Sequence, residues 1–254
     1  MPRPLPPRMS ASAIADRAKE KRRAILAFLA SGERCTSVKV VQMILGNCDR
    51  QAASRSLHAL KRDGFVVPDK INLLLPTLWG ITAEGLALAG VEGQPFRAGR
   101  LKPSHIPHRL DLQCSRLRAE AQGWSSWVPT SRLMAPVKGG ATKKRKEKIP
   151  DSLVKSPPPR GIVVAVEMEI TIKSKSRYQD ILGRHVQMFE EGKYELVHYL
   201  VPNGLHQVLA LKLADIKNIR VRGALVPFED KYRRRITCHA LSDWPPPAKQ
   251  KETE

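Results

Sequence analysis

Apolar positions recur at helical spacing from Ala11 to Leu29, where Ile14, Ala18, Ile25, Phe28 and Leu29 fall on one side. Ser37 stands where a cap belongs before "VKVVQMIL", and Gly46 ends that run. Asp49 occupies the N-cap position of "RQAASRSLHALKRDG", with Ala53, Leu57 and Leu60 as its inward stripe and Gly64 as its stop. "FVVPD" and "TLWGIT" read as two strands, and "AEGLALAG" as the start of another helix. The pattern lapses in "VEGQPFRAGRLKPSH" and resumes with a helix from His108 to Trp124. Strands are then predicted in "SWVPTSRLM", "IPDSLV" and "GIVVAVEMEITI", the last a single long one. A helix, "SRYQDILGRHVQMFEE", ends at Gly192; the strand "YELVHYLVP", the helix "GLHQVLALKLA" and a last strand, "IKNIRVRGALV", complete the series.

This order divides the chain into blocks. Residues 1–10 and 241–254 are expected to be disordered ends, rich in proline and charge. Residues 11–95 form one domain and residues 105–240 a second, with 96–104 as linker and "KKRKEK" in a long basic loop of the second. The predicted class is α+β or α/β. Three helices followed by a β-ribbon is the order of a winged helix-turn-helix, whose third helix enters the major groove. On that helix Ser54, Arg55 and His58 are the candidate base readers, and Arg50, Gln51, Lys61 and Arg62 share the exposed face, the last two placed for phosphates. A solvated amphipathic helix that touches nothing is the plainer account of the same pattern.

Charge favours the first account. The 254 residues carry a formal net charge of +20, which suits a polyanion, with double-stranded DNA the first candidate. Aromatic residues make up only 5%, against base stacking on single strands as the main mode. The four cysteines are scattered without zinc-ligand spacing and read as reduced thiols. No apolar run approaches the roughly 20 residues that span a bilayer. A cytoplasmic protein without membrane insertion is the expectation.

The stretch "VVAVEMEITIK" carries the candidate chemistry. If it is one extended strand, alternation puts Glu167, Glu169, Thr171 and Lys173 on one face. Asp151, in the preceding "IPD", would come close to Glu167 across a hairpin. Two adjacent carboxylates repel unless a cation lies between them. Mg²⁺, or Mn²⁺, takes such oxygen ligands and can activate water against a phosphodiester. An alternating charged face can also be a solvated edge with cross-strand ion pairs.

Asp151 in "IPD" with Glu167-Met168-Glu169 on the next strand resembles the PD-(D/E)xK nuclease core. With the winged-helix pattern, the "HRL" helix and "VEMEITIKSKSRY", the chain more closely resembles the MobC-type relaxase and replication-relaxation group of mobile plasmids, over roughly residues 15 to 215. The resemblance implies a restriction-endonuclease-like mixed sheet and a metal-dependent protein that nicks or relaxes DNA at a plasmid origin by hydrolysis. A conjugation coupling protein or other mobilisation proteins are the partners it implies. Carried over by position, Asp151 and Glu167 are the metal ligands. Glu169 stands where the nuclease motif usually has lysine, so the positive group falls to Lys173, about 13 Å further at strand rise, with Lys175 and Arg177 in reserve. His108 and Glu120 are accessory candidates from the flanking helix. Tyr178 reads as a packing or phosphate-bonding group rather than a nucleophile. Two alternatives stay open, the first of them favoured by the missing lysine. One is a non-catalytic DNA-binding regulator with a degenerate nuclease fold; the other is a resolvase or transposase subunit of similar core.

Overall fold

The computed structural model describes residues 10–133 and 149–246. The basic run Lys143–Lys148 and most of both expected disordered ends lie outside the described residues. The chain divides into two compact units between Gln113 and Cys114.

The first unit runs α1 (Ala11–Phe28), β1 (Cys35–Thr36), α2 (Val38–Ile44), α3 (Arg50–Arg62), β2 (Val66–Asp69), β3 (Leu78–Ile81) and α4 (Ala83–Leu88). Its three strands form an antiparallel sheet in the order β1-β3-β2. Ile25, Leu29, Val41, Ala53, Leu57, Leu60 and Ile81 make one apolar core, so the stripe of each helix meets the stripes of the others. Asp49 caps α3 by accepting from the Ala52 amide at 2.8 Å, and Gly64 follows the helix at a φ of 80°. Ser37 precedes α2 as expected, but its side chain makes no capping hydrogen bond.

Residues 96–104, expected as a linker, are bound to this unit. The Phe96 amide donates to Ile81 O at 2.9 Å, and its ring lies so close over Gly80 that a Cβ there would come within 1.9 Å of it. Leu101 joins a second core with Cys35, Leu78 and Ile106. The sequence break at glycine and proline is therefore a packed crossing, because Phe96 and Leu101 supply apolar anchors inside a polar stretch.

The helix α5 (Ile106–Ala121) contains the division point. The second unit continues with β4 (Ser125–Pro129), α6 (Thr130–Leu133), β5 (Ser152–Lys155), β6 (Val163–Met168), α7 (Lys175–Glu190), β7 (Leu196–Val201) and α8 (Leu205–Ala214). It closes with β8 (Asn218–Val221), β9 (Ala224–Pro227), α9 (Asp230–Arg233) and β10 (Ile236–Ala240). It is a mixed α+β unit whose five-stranded sheet has the order β10-β7-β6-β5-β4. The pairs β4–β5 and β5–β6 are antiparallel, and β6–β7 and β7–β10 are parallel. Ala165, Val197, Tyr199 and Val201 pack in one core with Tyr178, Leu182, Val186 and Phe189 of α7 and Leu209 and Leu213 of α8.

Four expectations change here. The long strand ends at Met168, where pairing with β7 stops, so Glu169 to Lys173 are not strand. "SWVPTSRLM" divides into β4 and the short α6. "IKNIRVRGALV" is a hairpin, turned at Arg222 and Gly223 with φ of 51° and 89°. Beyond it lies β10, which the pattern did not predict, and Trp244 just after it is 1% exposed, so the chain up to that residue is fixed rather than a loose tail. Among the described residues no helix is long and apolar enough to cross a membrane.

Candidate functional site

On α3, burying Ala53, Leu57 and Leu60 turns the opposite side outward. Arg50, Gln51, Arg55, His58, Lys61 and Arg62 are all exposed, and Ser54 is half-buried. The helix carries four basic residues and no acid. The His58 ring stands edge-on to Trp79 of β3, with centroids 5.1 Å apart, which fixes one end of the row against the sheet. The seven sequence candidates therefore share one outward face.

In the second unit, β5 pairs with β6 so that Ser152 faces Val166. Asp151 immediately precedes β5, and Glu167, next to Val166, pairs with Tyr199 of β7. Tyr199 pairs with Cys238 of β10, so Glu167, Tyr199 and Cys238 form a row across three strands. Alternation puts this row on the face of Ala165, which is covered by α7. Asp151 is half-buried and its Oδ2 accepts from the Met168 amide at 2.8 Å, which fixes its carboxylate beside the end of β6.

Glu167 is 6% exposed, and burial of a carboxylate requires polar company. His185 of α7, fully buried, places Nε2 3.8 Å from Glu167 Oε1. Its ring nitrogens are flanked by two phenols, Tyr194 at 2.7 Å from Nδ1 and Tyr199 at 3.3 Å from Nε2. A neutral imidazole donates from one nitrogen and accepts at the other, so both contacts can be satisfied at once. Burial first, and the Glu167 charge second, push both phenols well above their ordinary range. They remain protonated hydrogen-bonding groups. The three residues escaped the sequence reading, although His185 falls on the inward stripe of α7 with Tyr178, Leu182 and Phe189, where a polar residue is itself a signal.

Glu169 and Lys173 come together differently from the extended-strand expectation. The chain bends after Met168, and Lys173 Nζ contacts both carboxylate oxygens of Glu169. The 13 Å gap does not exist. The Lys173 amide donates to the Tyr178 hydroxyl at 3.2 Å. Tyr178 is fully buried, and burial raises its phenol well above the usual range, so its place is in packing and in holding this bend.

The accessory candidates lie elsewhere. Lys175 pairs with Asp215 at 2.6 Å on the surface, and Arg177 is exposed in the first turn of α7. Glu120 accepts from Arg116 Nε at 2.8 Å on its own helix. His108 belongs to the first unit, whereas Asp151 and Glu167 belong to the second. At the far end of the row, burial pushes the Cys238 thiol up to about 12, which leaves it unreactive beside a cavity of about 540 Å³ lined by Leu182, Leu213, Phe228 and Ile236.

Among the described residues, no group of three or more His, Cys, Asp and Glu is placed to hold a metal ion. The carboxylates at this end of the sheet are Asp151, just before β5, and Glu167 of β6, with Glu169 engaged by Lys173. A pair fits a hard cation that fills its remaining positions with water and substrate oxygens, and does not fit a closed all-protein site. Compared with models of protein families, with curated proteins and with solved structures, the chain shows no match.

Proposed function

We propose that this protein binds duplex DNA through α3 and cuts one strand with a divalent cation held by Asp151 and Glu167, as a nicking or relaxing protein of a plasmid origin. The observation that supports the reading is that Asp151 directly precedes the Ser152–Val166 pair and its Oδ2 accepts from the amide of Met168, the residue after Glu167. The order α1-β1-α2-α3-β2-β3, with the sheet order β1-β3-β2, supports a winged helix in the first unit. The succession α5-β4-β5-β6-α7-β7 supports a PD-(D/E)xK-like core in the second.

Each residue then has a task. Arg50, Gln51, Arg55, Lys61 and Arg62 meet the duplex, with Ser54 and His58 on the same face. Asp151 and Glu167 would hold Mg²⁺ or Mn²⁺, which when bound polarises a phosphoryl oxygen and activates water. The Met168 amide orients Asp151, and His185, held by Tyr194 and Tyr199, stands beside Glu167. Lys173 balances Glu169, leaving one net negative pair at the end of the row.

The pairing of Lys173 with Glu169 also favours a second reading, a DNA-binding regulator without cleavage, because the lysine nominated for the chemistry is already neutralised. Supercoiled plasmid carrying candidate origins separates the two. Open circles formed with Mg²⁺ or Mn²⁺, and lost in Asp151→Asn and Glu167→Gln while duplex binding persists, support nicking. Binding without open circles under either ion overturns it in favour of the regulator.

A further inference from the structure

The loop between β2 and β3 presents two leucines to solvent. Leu73 is 88% exposed and Leu74 95%. The turn that lifts them is built rather than slack: Asn72 Oδ1 accepts from the Leu74 and Leu75 amides, both at 2.9 Å. On either side Ile71 and Leu75 turn inward, against the core of Cys35, Leu78 and Ile106. Two adjacent apolar side chains at a braced tip lose free energy in water, and nothing in the folding of this loop requires them there.

Basic residues stand on the segments at the base of the tip. Lys70 at its base is exposed, as are Arg97, Arg100 and Lys102 in the next segment. That segment is fastened beside β2, since the Gly99 amide donates to Asp69 Oδ2 at 2.9 Å and Phe96 and Leu101 share the core of Ile71 and Leu75. The occupant must therefore offer dense negative charge around an apolar interior. A second copy of the chain would set these basic residues against their own copies. Duplex DNA offers phosphates flanking stacked bases, and the polar outward side chains Gln51 and Ser54 on α3 of the same unit suit base edges better than a lipid surface.

We infer that Leu73 and Leu74 form a wedge that enters the minor groove and unstacks a base step, bending the duplex while Lys70, Arg97, Arg100 and Lys102 meet the flanking phosphates. This rests on the reading of the first unit as a DNA-binding module. The wedge couples binding to deformation, so it favours flexible pyrimidine–purine steps.

The test uses the full chain and a short mixed-sequence duplex with a TA step at its centre. A fluorescent adenine analogue sits at that step, and a dye on each end reports bending. Wild type is expected to brighten the analogue and shorten the end-to-end distance. Leu73→Ser/Leu74→Ser, exposed enough to keep the fold and its thermal midpoint, is expected to lose both signals and bind about tenfold more weakly. The salt slope should not change, because no phosphate contact is removed. Leu74→Phe should keep both signals. A straight, stacked duplex bound equally by wild type and the serine variant overturns the wedge and leaves DNA binding standing. No duplex binding by wild type at low salt overturns both. Leucine-dependent binding to phosphatidylserine vesicles, or leucine-dependent dimers in sedimentation, without duplex unstacking, would assign the tip to a membrane or a second copy instead.

Discussion

Lys173 Nζ rests on both carboxylate oxygens of Glu169, four residues earlier in the chain. Glu169 is 5% exposed, so its charge is tolerated by virtue of that contact. Lys173→Met should therefore lower stability by about 1–3 kcal/mol, since the lysine end is partly solvated. Lys173→Met/Glu169→Gln should recover part of the loss. Urea unfolding of the three chains measures it, and a neutral single variant would show that water serves Glu169 as well as lysine does.

His198 supplies a pH dependence. Burial first, and neighbouring His239 second, lower its pKa to about 3 from an ordinary 6.5. Its Nδ1 accepts from Trp244 Nε1 at 3.0 Å, and the Trp124 and His239 rings stand 6.0 and 4.7 Å away. Below 6.5 the unfolded chain binds a proton that the folded chain refuses. The stability tied to this residue is complete above that pH and is lost on acidification toward about 3, at about 1.4 kcal/mol per pH unit. His198→Gln should flatten the decline in unfolding free energy between neutral and mildly acidic pH, relative to wild type.

Gly183 lets α7 approach β8. A Cβ there would lie 2.0 Å from the Arg220 carbonyl oxygen, which is backbone and cannot swing aside. Alanine is the better helix former by about 1 kcal/mol, yet Gly183→Ala should destabilise by more than about 2 kcal/mol. Chemical denaturation gives the sign directly.

The outward face of α3 predicts a salt signature. Arg55→Ala and Lys61→Ala should each weaken duplex binding and reduce the slope of log affinity against log salt by about one for every phosphate contact removed. Fluorescence anisotropy over a salt series checks this. Unchanged affinity in the double variant would remove α3 from the interface.

Helices with a stripe and a stop were legible in the sequence. Asp49, Ala53, Leu57, Leu60 and Gly64 delimit α3, and Gly192 ends α7 as expected, although its cap is Ser174, two residues before the expected start at Ser176. Strand ends were not. Alternation continues through Lys173, but a strand ends where its neighbours stop pairing, and β7 pairs with β6 only as far as Met168. The antiparallel hairpin of β5 and β6, which carries Asp151 just before one strand and Glu167 in the other, was legible. His185, Tyr194 and Tyr199 were not, because three separate elements bring them to Glu167. Trp244 looked like part of a proline-rich tail because its partners Trp124, Trp127 and His198 are distant in sequence.

The strand β10 pairs with β7 in parallel, and the chain between them first makes α8, a hairpin and α9. During synthesis, the β7 edge therefore waits uncovered while some forty residues emerge. A nascent chain halted within the β8–β9 hairpin would leave the backbone N–H and C=O groups of β7 (Leu196–Val201) along an open strand edge, which chaperones bind and which other nascent chains can join.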